Sequence, residues 1–297
     1  MATELVRILL QTTIPSIEDD WSIARFSLLG ALLSEQRNDR GNALYEVTMR
    51  DRDEPGKPDS VLSTIDKSGF DQLWLFAVDE GNGLAKEDCD AISRFWMSGR
   101  GLLISRDHMD VGSSVCPLGG IGRAHHFHQT NRDPNLARRV IDDPYTTHIS
   151  WPNYHSGANG DFKDIEIFGP AHPLLADPRS PTGSIRLLPA HPHEGGVSAP
   201  EGMGARVIAR GRSKVSGAEF NLAVAFEPDE RHGPGLADST FHHFADYNWD
   251  TRMGCPSFVD ESPGDGAGRT VEGLADTKRY ALNIADWLST GIGDHRC

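Results

Sequence analysis

Residues 72–78, QLWLFAV, form a nearly continuous apolar run of strand length, and this run constrains the fold more than any other feature of the chain. Alternation of apolar and polar residues is typical of a strand with one solvated face. A continuous apolar run is typical of a parallel strand that is buried on both faces. We therefore predict a central strand in a sheet that is covered by helices on both sides.

Strand and helix patterns alternate around this run. Apolar runs predict strands at 5–10, 43–49 and 102–105, and apolar residues at helical spacing predict helices at about 21–36 and 86–97. Alternating strands and helices favour parallel strands joined by right-handed crossovers. The predicted fold class is α/β, a flavodoxin-like, doubly wound and mostly parallel sheet with helices on both faces.

The second half of the chain is less regular. Residues 107–181 are rich in Gly, Pro, His, Asn and Asp, which is typical of a functional loop insertion. Four strand-like runs are expected to extend the sheet or to add an antiparallel edge, and they are 184–188, 205–211, 221–226 and 235–241. A last helix is predicted at 274–288. No internal repeat or domain linker is evident, so we predict one domain over 1–297.

Charge and cysteine content restrict the partners. Acidic residues outnumber basic ones by 43 to 29, and the net charge of −14 repels nucleic acid and anionic membrane surfaces. Four cysteines without CxxC spacing favour a reducing compartment. Residues 1–10 carry Glu4 and Arg7, unlike a signal-peptide core, and no apolar run has membrane-spanning length. We expect a cytoplasmic protein with a small-molecule ligand or substrate, and leave a homo-oligomer open.

One stretch resembles a known family. Residues 70–108, FDQLWLFAVDEGNGLAKEDCDAISRFWMSGRGLLISRDH, resemble the central unit of ThuA-like members of the class I glutamine amidotransferase-like superfamily. The resemblance implies an active-site elbow at 105–110. Glutamine amidotransferases carry a nucleophilic cysteine in a glycine-rich elbow, whereas this elbow reads SRDHMD, so glutaminase activity is not expected. His-bearing blocks that resemble those of uncharacterised bacterial members lie at 171–175, 191–196 and 238–244.

Three groups of histidine and acidic residues each follow a predicted strand. They are Asp107, His108 and Asp110 after 102–105, His191, His193 and Glu194 after 184–188, and His242 and His243 at the end of 235–241. In an open α/β sheet, ligands bind beyond the carboxyl ends of the strands. Parallel strands would therefore bring these groups to one edge of the sheet.

These residue types suit a divalent metal such as zinc, iron or manganese. A catalytic ion needs about three protein ligands and an open position for water or substrate. The candidate ligands are Asp107, His108, His191, His193, His242 and His243. Glu194 or Asp110 would handle protons while the ion polarises a carbonyl, which predicts a metal-assisted hydrolase of a small polar molecule. None of the spacings is an HExxH signature.

Each group also has a purely structural explanation. Asp107 can cap the segment that follows it, His108 can hydrogen-bond within a turn, and the glycines after Glu194 can form a tight loop. Alternation along a strand would send one of His242 and His243 inward and the other outward, so only one of them is expected to face the site.

Two functions that need no metal remain open. Cys116, in GSSVCPLGG, could act as the nucleophile of an amidase, with backbone amides of residues 112–114 stabilising an oxyanion. A buried, inert thiol is the competing explanation, because Cys116 lies well past the predicted elbow. A non-catalytic or carbohydrate-related binding domain is the other alternative, since ThuA-like relatives are associated with sugar utilisation.

Overall fold

The computed structural model describes residues 5–142 and 152–291. Its strands are β1 Val6–Thr12, β2 Tyr45–Arg50, β3 Gln72–Phe76, β4 Gly101–Ser105, β5 His125–His126, β6 Phe162–Asp164, β7 Glu166–Ile167, β8 Leu187–Pro189, β9 Gly196–Val197, β10 Ala205–Arg212, β11 Glu219–Phe226 and β12 Gly235–Asp238. The α-helices are α1 Ser27–Ser34, α2 Lys86–Met97, α3 Asp246–Trp249, α4 Gly266–Arg269 and α5 Val271–Leu288. Two 3-10 helices that bear on the site are Ile23–Phe26 and Phe241–His243.

An eight-stranded sheet in the order β2-β1-β3-β4-β12-β11-β10-β7 organises the fold. The first five strands in this order pair in parallel, and the last three join antiparallel. The predicted α/β class is confirmed, because a doubly wound parallel core carries the predicted antiparallel edge.

The buried strand β3 lies between β1 and β4, and all five of its residues are buried, as its continuous apolar run predicts. Helices α1 and α5 pack with one face of the sheet, while α2 packs with the other. Each face therefore has its own hydrophobic core. Among the described residues, no helix combines the length and apolarity needed to cross a membrane.

Helix α2 has the predicted bounds, whereas the helix predicted at 21–36 is shorter. It begins as the 3-10 helix Ile23–Phe26 and continues as α1. The carboxylate of Asp246 accepts hydrogen bonds from the backbone N–H groups of Ser27 and Leu28, at 3.0 and 2.8 Å. These bonds satisfy donors at the N-terminus of α1 and tie it to the segment that follows Phe241–His243.

Two strand predictions near the candidate site are corrected by the structure. The run at 184–188 does form a strand, β8, but it begins at Leu187 and pairs with β6 in a separate two-stranded sheet instead of extending the main one. The strand predicted at 235–241 ends at Asp238, so the prediction that His242 and His243 end a strand is wrong. The Asp238 carboxylate accepts the N–H of Thr240, and the Thr240 hydroxyl accepts the N–H of His242. These side-chain bonds turn the chain into a 3-10 helix.

Candidate metal centre

Three buried side chains from separate parts of the chain meet at the carboxyl edge of the sheet. Asp107 follows β4, His242 lies in the 3-10 helix after β12, and His191 follows β8. One donor atom from each of the three lies within 4.8 Å of the other two. Asp107 Oδ1 is 3.5 Å from His191 Nε2, and Asp107 Oδ2 is 3.5 Å from His242 Nε2. Two imidazoles therefore flank one carboxylate.

The elbow that carries Asp107 is held by a buried arginine. The Arg106 guanidinium donates hydrogen bonds to the backbone carbonyls of Asp107 and, at 2.8 Å, of His126. Gly195, in the loop after His191, packs directly on this elbow, where an added Cβ atom would lie 2.5 Å from the Asp107 carbonyl oxygen. A glycine is needed there because the two loops approach so closely.

The tautomer of His242 follows from its hydrogen-bond partners. The amide nitrogen of Asn248 donates to the Ala190 carbonyl at 3.1 Å and to Asn159 Oδ1 at 2.9 Å. Asn248 Oδ1 is therefore an acceptor, and His242 Nδ1 donates to it at 2.8 Å. A neutral His242 must then carry its lone pair on Nε2, the atom that faces Asp107. A lone pair facing a carboxylate oxygen requires a cation or a proton between them.

His191 is buried, which favours the neutral form of its imidazole. Burial, followed by the charge of His242, lowers the pKa of His191 well below its ordinary value. The centroids of the two rings lie 3.4 Å apart. Among the described residues, neither ring nitrogen of His191 has a hydrogen-bond partner, and Asp107 Oδ1 also lacks one. Such unpaired buried atoms cost about 1–3 kcal/mol each, so they point to a missing partner.

Asp107 supplies the negative charge of the cluster. Burial by itself would raise the pKa of this carboxyl, but the charges and hydrogen bonds of His108 and His242 hold it well below its usual range. The cluster thus combines an anionic oxygen with the nitrogen atoms of two histidines. This donor set suits zinc, iron or manganese.

The cluster forms part of the lining of a cleft of about 1120 Å³, which has the size of a small-molecule site. His108 and His193 line the same cleft, with ring centroids 5.1 Å apart. His193 Nε2 lies 3.5 Å from Glu261 Oε1. Trp21 lies edge-on to the His242 ring at 4.8 Å, and Phe241 stacks on that ring at 4.3 Å. The aromatic contacts fix the orientation of the imidazole.

Two residues predicted for the site lie behind it. His243 Nδ1 is 2.7 Å from Asp238 Oδ1, and Asp238 Oδ2 accepts the Tyr280 hydroxyl at 2.8 Å. The buried Glu194 carboxylate pairs with the Lys163 ammonium and accepts the hydroxyls of Ser156 and Ser239. Neither His243 nor Glu194 is among the described residues that line the cleft. Both side chains support the loops that present the cluster.

Asp110 and Cys116 are also outside the lining of the cleft. Asp110 Oδ1 accepts the backbone N–H of Gln129 at 3.0 Å. Burial raises the pKa of the Cys116 thiol to about 11, which keeps it protonated at neutral pH. A protonated thiol is a weak nucleophile, so this pKa gives no support to Cys116 as the nucleophile of an amidase.

Three residues of the site carry no distinctive sequence signal. Glu261 lies in an irregular segment, Asn248 lies in the short helix α3, and Trp21 reads as one member of a helical apolar stripe. For Asn248, the local feature that could have pointed to the site is its position six residues after His242 in a buried segment.

Comparisons with known proteins identify the fold. No family model and no curated protein sequence matches this chain. A ThuA-like protein from Parabacteroides merdae has a similar structure, with a TM-score of 0.54 and 14% identity over 97% of this chain and 91% of that one. The mmIFT52 N-terminal domain gives a TM-score of 0.51 and 12% identity, over 97% and 98% of the two chains.

A glutaminase domain is also among the similar structures. The glutaminase domain of Trypanosoma brucei CTPS with bound acivicin gives a TM-score of 0.48 and 14% identity, over 96% of this chain and 94% of that one. The resemblance of residues 70–108 to ThuA-like proteins is confirmed at the level of the fold. Identities this low show a shared fold and not a shared reaction.

Proposed function

We propose that this chain is a metal-dependent hydrolase that cleaves an acyl bond in a small polar molecule bound in the cleft. Asp107, His191 and His242 would hold a divalent zinc, iron or manganese ion. The observation that carries the proposal is the convergence of these three buried donors, with atoms that lack hydrogen-bond partners among the described residues.

The donor set fits a catalytic rather than a structural ion. Three protein ligands leave a coordination position for water or substrate, whereas structural zinc sites are closed by four. All three ligands line the cleft, so that position would be reached from it. A bound ion would polarise the substrate carbonyl and lower the pKa of a bound water.

Two further histidines are placed to move protons. The rings of His108 and His193 have centroids 6.4 and 6.0 Å from that of His191. Glu261 lies beside His193 and would orient its ring and stabilise its protonated form. We propose that His193 delivers a proton to the leaving group, because a histidine that lies in the cleft beside a carboxylate can act as a general acid–base.

Measurement of the metal content tests whether Asp107, His191 and His242 bind an ion. The purified chain is incubated with zinc, iron or manganese, desalted and subjected to elemental analysis, alongside Asp107→Asn, His191→Ala and the control His128→Ala outside the cleft. About one equivalent is expected in the parent chain and the control, and a large loss in the two site variants. A parent chain that retains no metal would overturn the proposal.

Measurement of turnover tests whether the metal-loaded chain is a hydrolase. Release of acid from a panel of small esters and amides is measured with the metal-loaded chain, before and after chelation. Loss of turnover with the chelator and its return with metal are expected. Stoichiometric metal without any turnover across the panel would instead favour the non-catalytic binding domain.

A further inference from the structure

Apart from histidines, the ionisable side chains among the described residues that line the cleft are all carboxylates. Its acidic residues are Asp20, Asp79, Glu80, Asp107, Asp260 and Glu261. No lysine or arginine is among the described residues that line it. An anionic substrate would need the arginine or lysine contacts that recognise carboxylates and phosphates, and this lining offers none.

Two of the acidic groups at the rim have no cationic partner among the described residues, whereas Glu261 lies beside His193. Glu80 and Asp260 are exposed, and neither forms an ion pair with another described residue. Asp79 is held in place by hydrogen bonds of 2.8 Å from the Gly81 N–H and the Ser114 hydroxyl. The net charge of −14 adds to the negative potential of the cleft.

The rim also presents an aromatic face. The side chain of Phe258 is 59% exposed and lines the cleft together with Asp260 and Glu261. An aromatic ring beside carboxylates attracts an ammonium group through both the ring quadrupole and the charges. The floor of the same cleft holds His191, which is 6% exposed and has two ring nitrogens without a hydrogen-bond partner among the described residues. The cleft therefore has an acidic rim above a polar floor that points to a ligand.

We infer that the substrate is a small acyl compound that carries a cationic ammonium group. This inference rests on the proposed function: the acyl group lies at Asp107, His191 and His242, and the ammonium group lies at the acidic rim. Hydrolysis of an amide of this class adds the oxygen of water to the carbonyl carbon and breaks the C–N bond. The leaving nitrogen takes a proton, and the products are a carboxylate and an amine, without any change of oxidation state.

Three matched amides test the inference. N-(4-aminobutyl)acetamide carries an ammonium group, N-pentylacetamide is uncharged, and N-acetyl-4-aminobutyrate carries a carboxylate. Acetate release by the zinc-loaded chain is measured at pH 8, above the ordinary pKa of histidine. We expect kcat/KM for the ammonium amide to exceed that for the carboxylate amide on the order of tenfold, and the ratio to shrink at high salt.

Two double variants distinguish the effect of the rim carboxylates on substrate preference from the effect of the net charge of the chain. Glu80→Gln with Asp260→Asn is expected to lower the preference for the ammonium over the uncharged amide about threefold. The control pair Glu201→Gln with Glu230→Gln changes the net charge equally but outside the cleft, and is expected to leave that preference unchanged. A carboxylate preference, or an equal effect of both pairs, would overturn the inference and leave the hydrolase proposal standing.

Absence of cleavage of all three amides would count against the proposed function instead. The charge inference is then decided by saturation-transfer NMR with the same three compounds and the zinc-loaded chain. Binding of the ammonium amide in preference to the carboxylate amide supports it. Equal or tighter binding of the carboxylate amide, or binding of neither, overturns it.

Discussion

Asn248 and His242 are joined by a 2.8 Å hydrogen bond that decides which imidazole nitrogen faces Asp107. The Ala190 carbonyl can only accept, so it fixes the orientation of the Asn248 amide. The Asn248 oxygen in turn holds the proton of His242 on Nδ1. A ligand histidine whose second nitrogen is bonded in this way is oriented before the ion arrives.

Asn248→Ala is expected to weaken zinc affinity about 10- to 100-fold, because His242 loses the partner that orients it. Competition with a chromophoric chelator measures the affinity. The matched control is Asn283→Ala, since Asn283 also donates to two backbone carbonyls, those of Leu174 and Ala176. The control should lose stability without losing affinity for zinc. Equal losses of affinity in both variants would contradict the role of Asn248.

Zinc is expected to stabilise the folded chain and to lose this effect in Asp107→Asn. At a free zinc concentration about 100-fold above its Kd, the free energy of unfolding should rise by about 2.7 kcal/mol. Thermal unfolding with and without zinc measures the change. Asp110→Asn removes a neighbouring carboxylate outside the cleft lining and should still respond to zinc. A response that survives in Asp107→Asn would argue against the site.

Stability is expected to fall as the pH drops below 6.5, and His172 should contribute to the loss. Burial lowers the pKa of His172 to about 4, although Glu227 acts in the opposite direction. Between pH 6.5 and 4 the unfolded chain therefore binds a proton that the folded chain does not. The penalty is absent above pH 6.5, and grows to on the order of 3 kcal/mol as the pH approaches 4.

His172→Asn isolates this contribution. His172 Nδ1 accepts the N–H of Leu174, and an asparagine can make the same helix cap without titrating. The variant is expected to lose packing on Trp287 at all pH values, but its free energy of unfolding should decline less steeply below pH 6.5. Urea unfolding at pH 8, 6 and 5 compares the slopes. An equal decline of the free energy of unfolding with pH in the parent chain and in His172→Asn would contradict the prediction.

Cys116→Ala is expected to retain turnover, and iodoacetamide should modify Cys116 slowly at pH 7.5. A thiol whose pKa is about 11 is almost entirely protonated at that pH, and the thiolate is the reactive form. Mass spectrometry follows the modification, and acetate release follows the activity. Rapid alkylation of Cys116 with a parallel loss of activity would instead support the alternative function, a cysteine-dependent amidase.

Glu194→Gln is expected to destabilise the chain by about 3–5 kcal/mol, because it leaves the Lys163 ammonium buried without its counter-ion. Burial already lowers the pKa of Lys163. The double variant Glu194→Gln with Lys163→Met should recover much of the loss. If Glu194 instead carries protons in the reaction, the single variant would lose turnover while keeping its stability and its affinity for zinc.

The local elements of the first half were predictable from short stretches of sequence. Helix α2 has the predicted bounds, and β3 and β4 lie within one or two residues of theirs. Apolar periodicity in such segments reports burial directly. The predictions failed at Thr240 and at β8, where side-chain bonds and pairing with β6 decided the course of the backbone.

The sequence by itself determined the fold class, the acidic character of the chain and a pool of histidines and carboxylates near strand ends. These properties depend on composition and on local patterns of apolar residues. Only the tertiary structure decided which members of the pool meet. β12 inserts beside β4 and brings His242 to Asp107, while His191 arrives from the small sheet of β6 and β8. Strand order and loop packing depend on contacts between distant residues, and no local pattern records them.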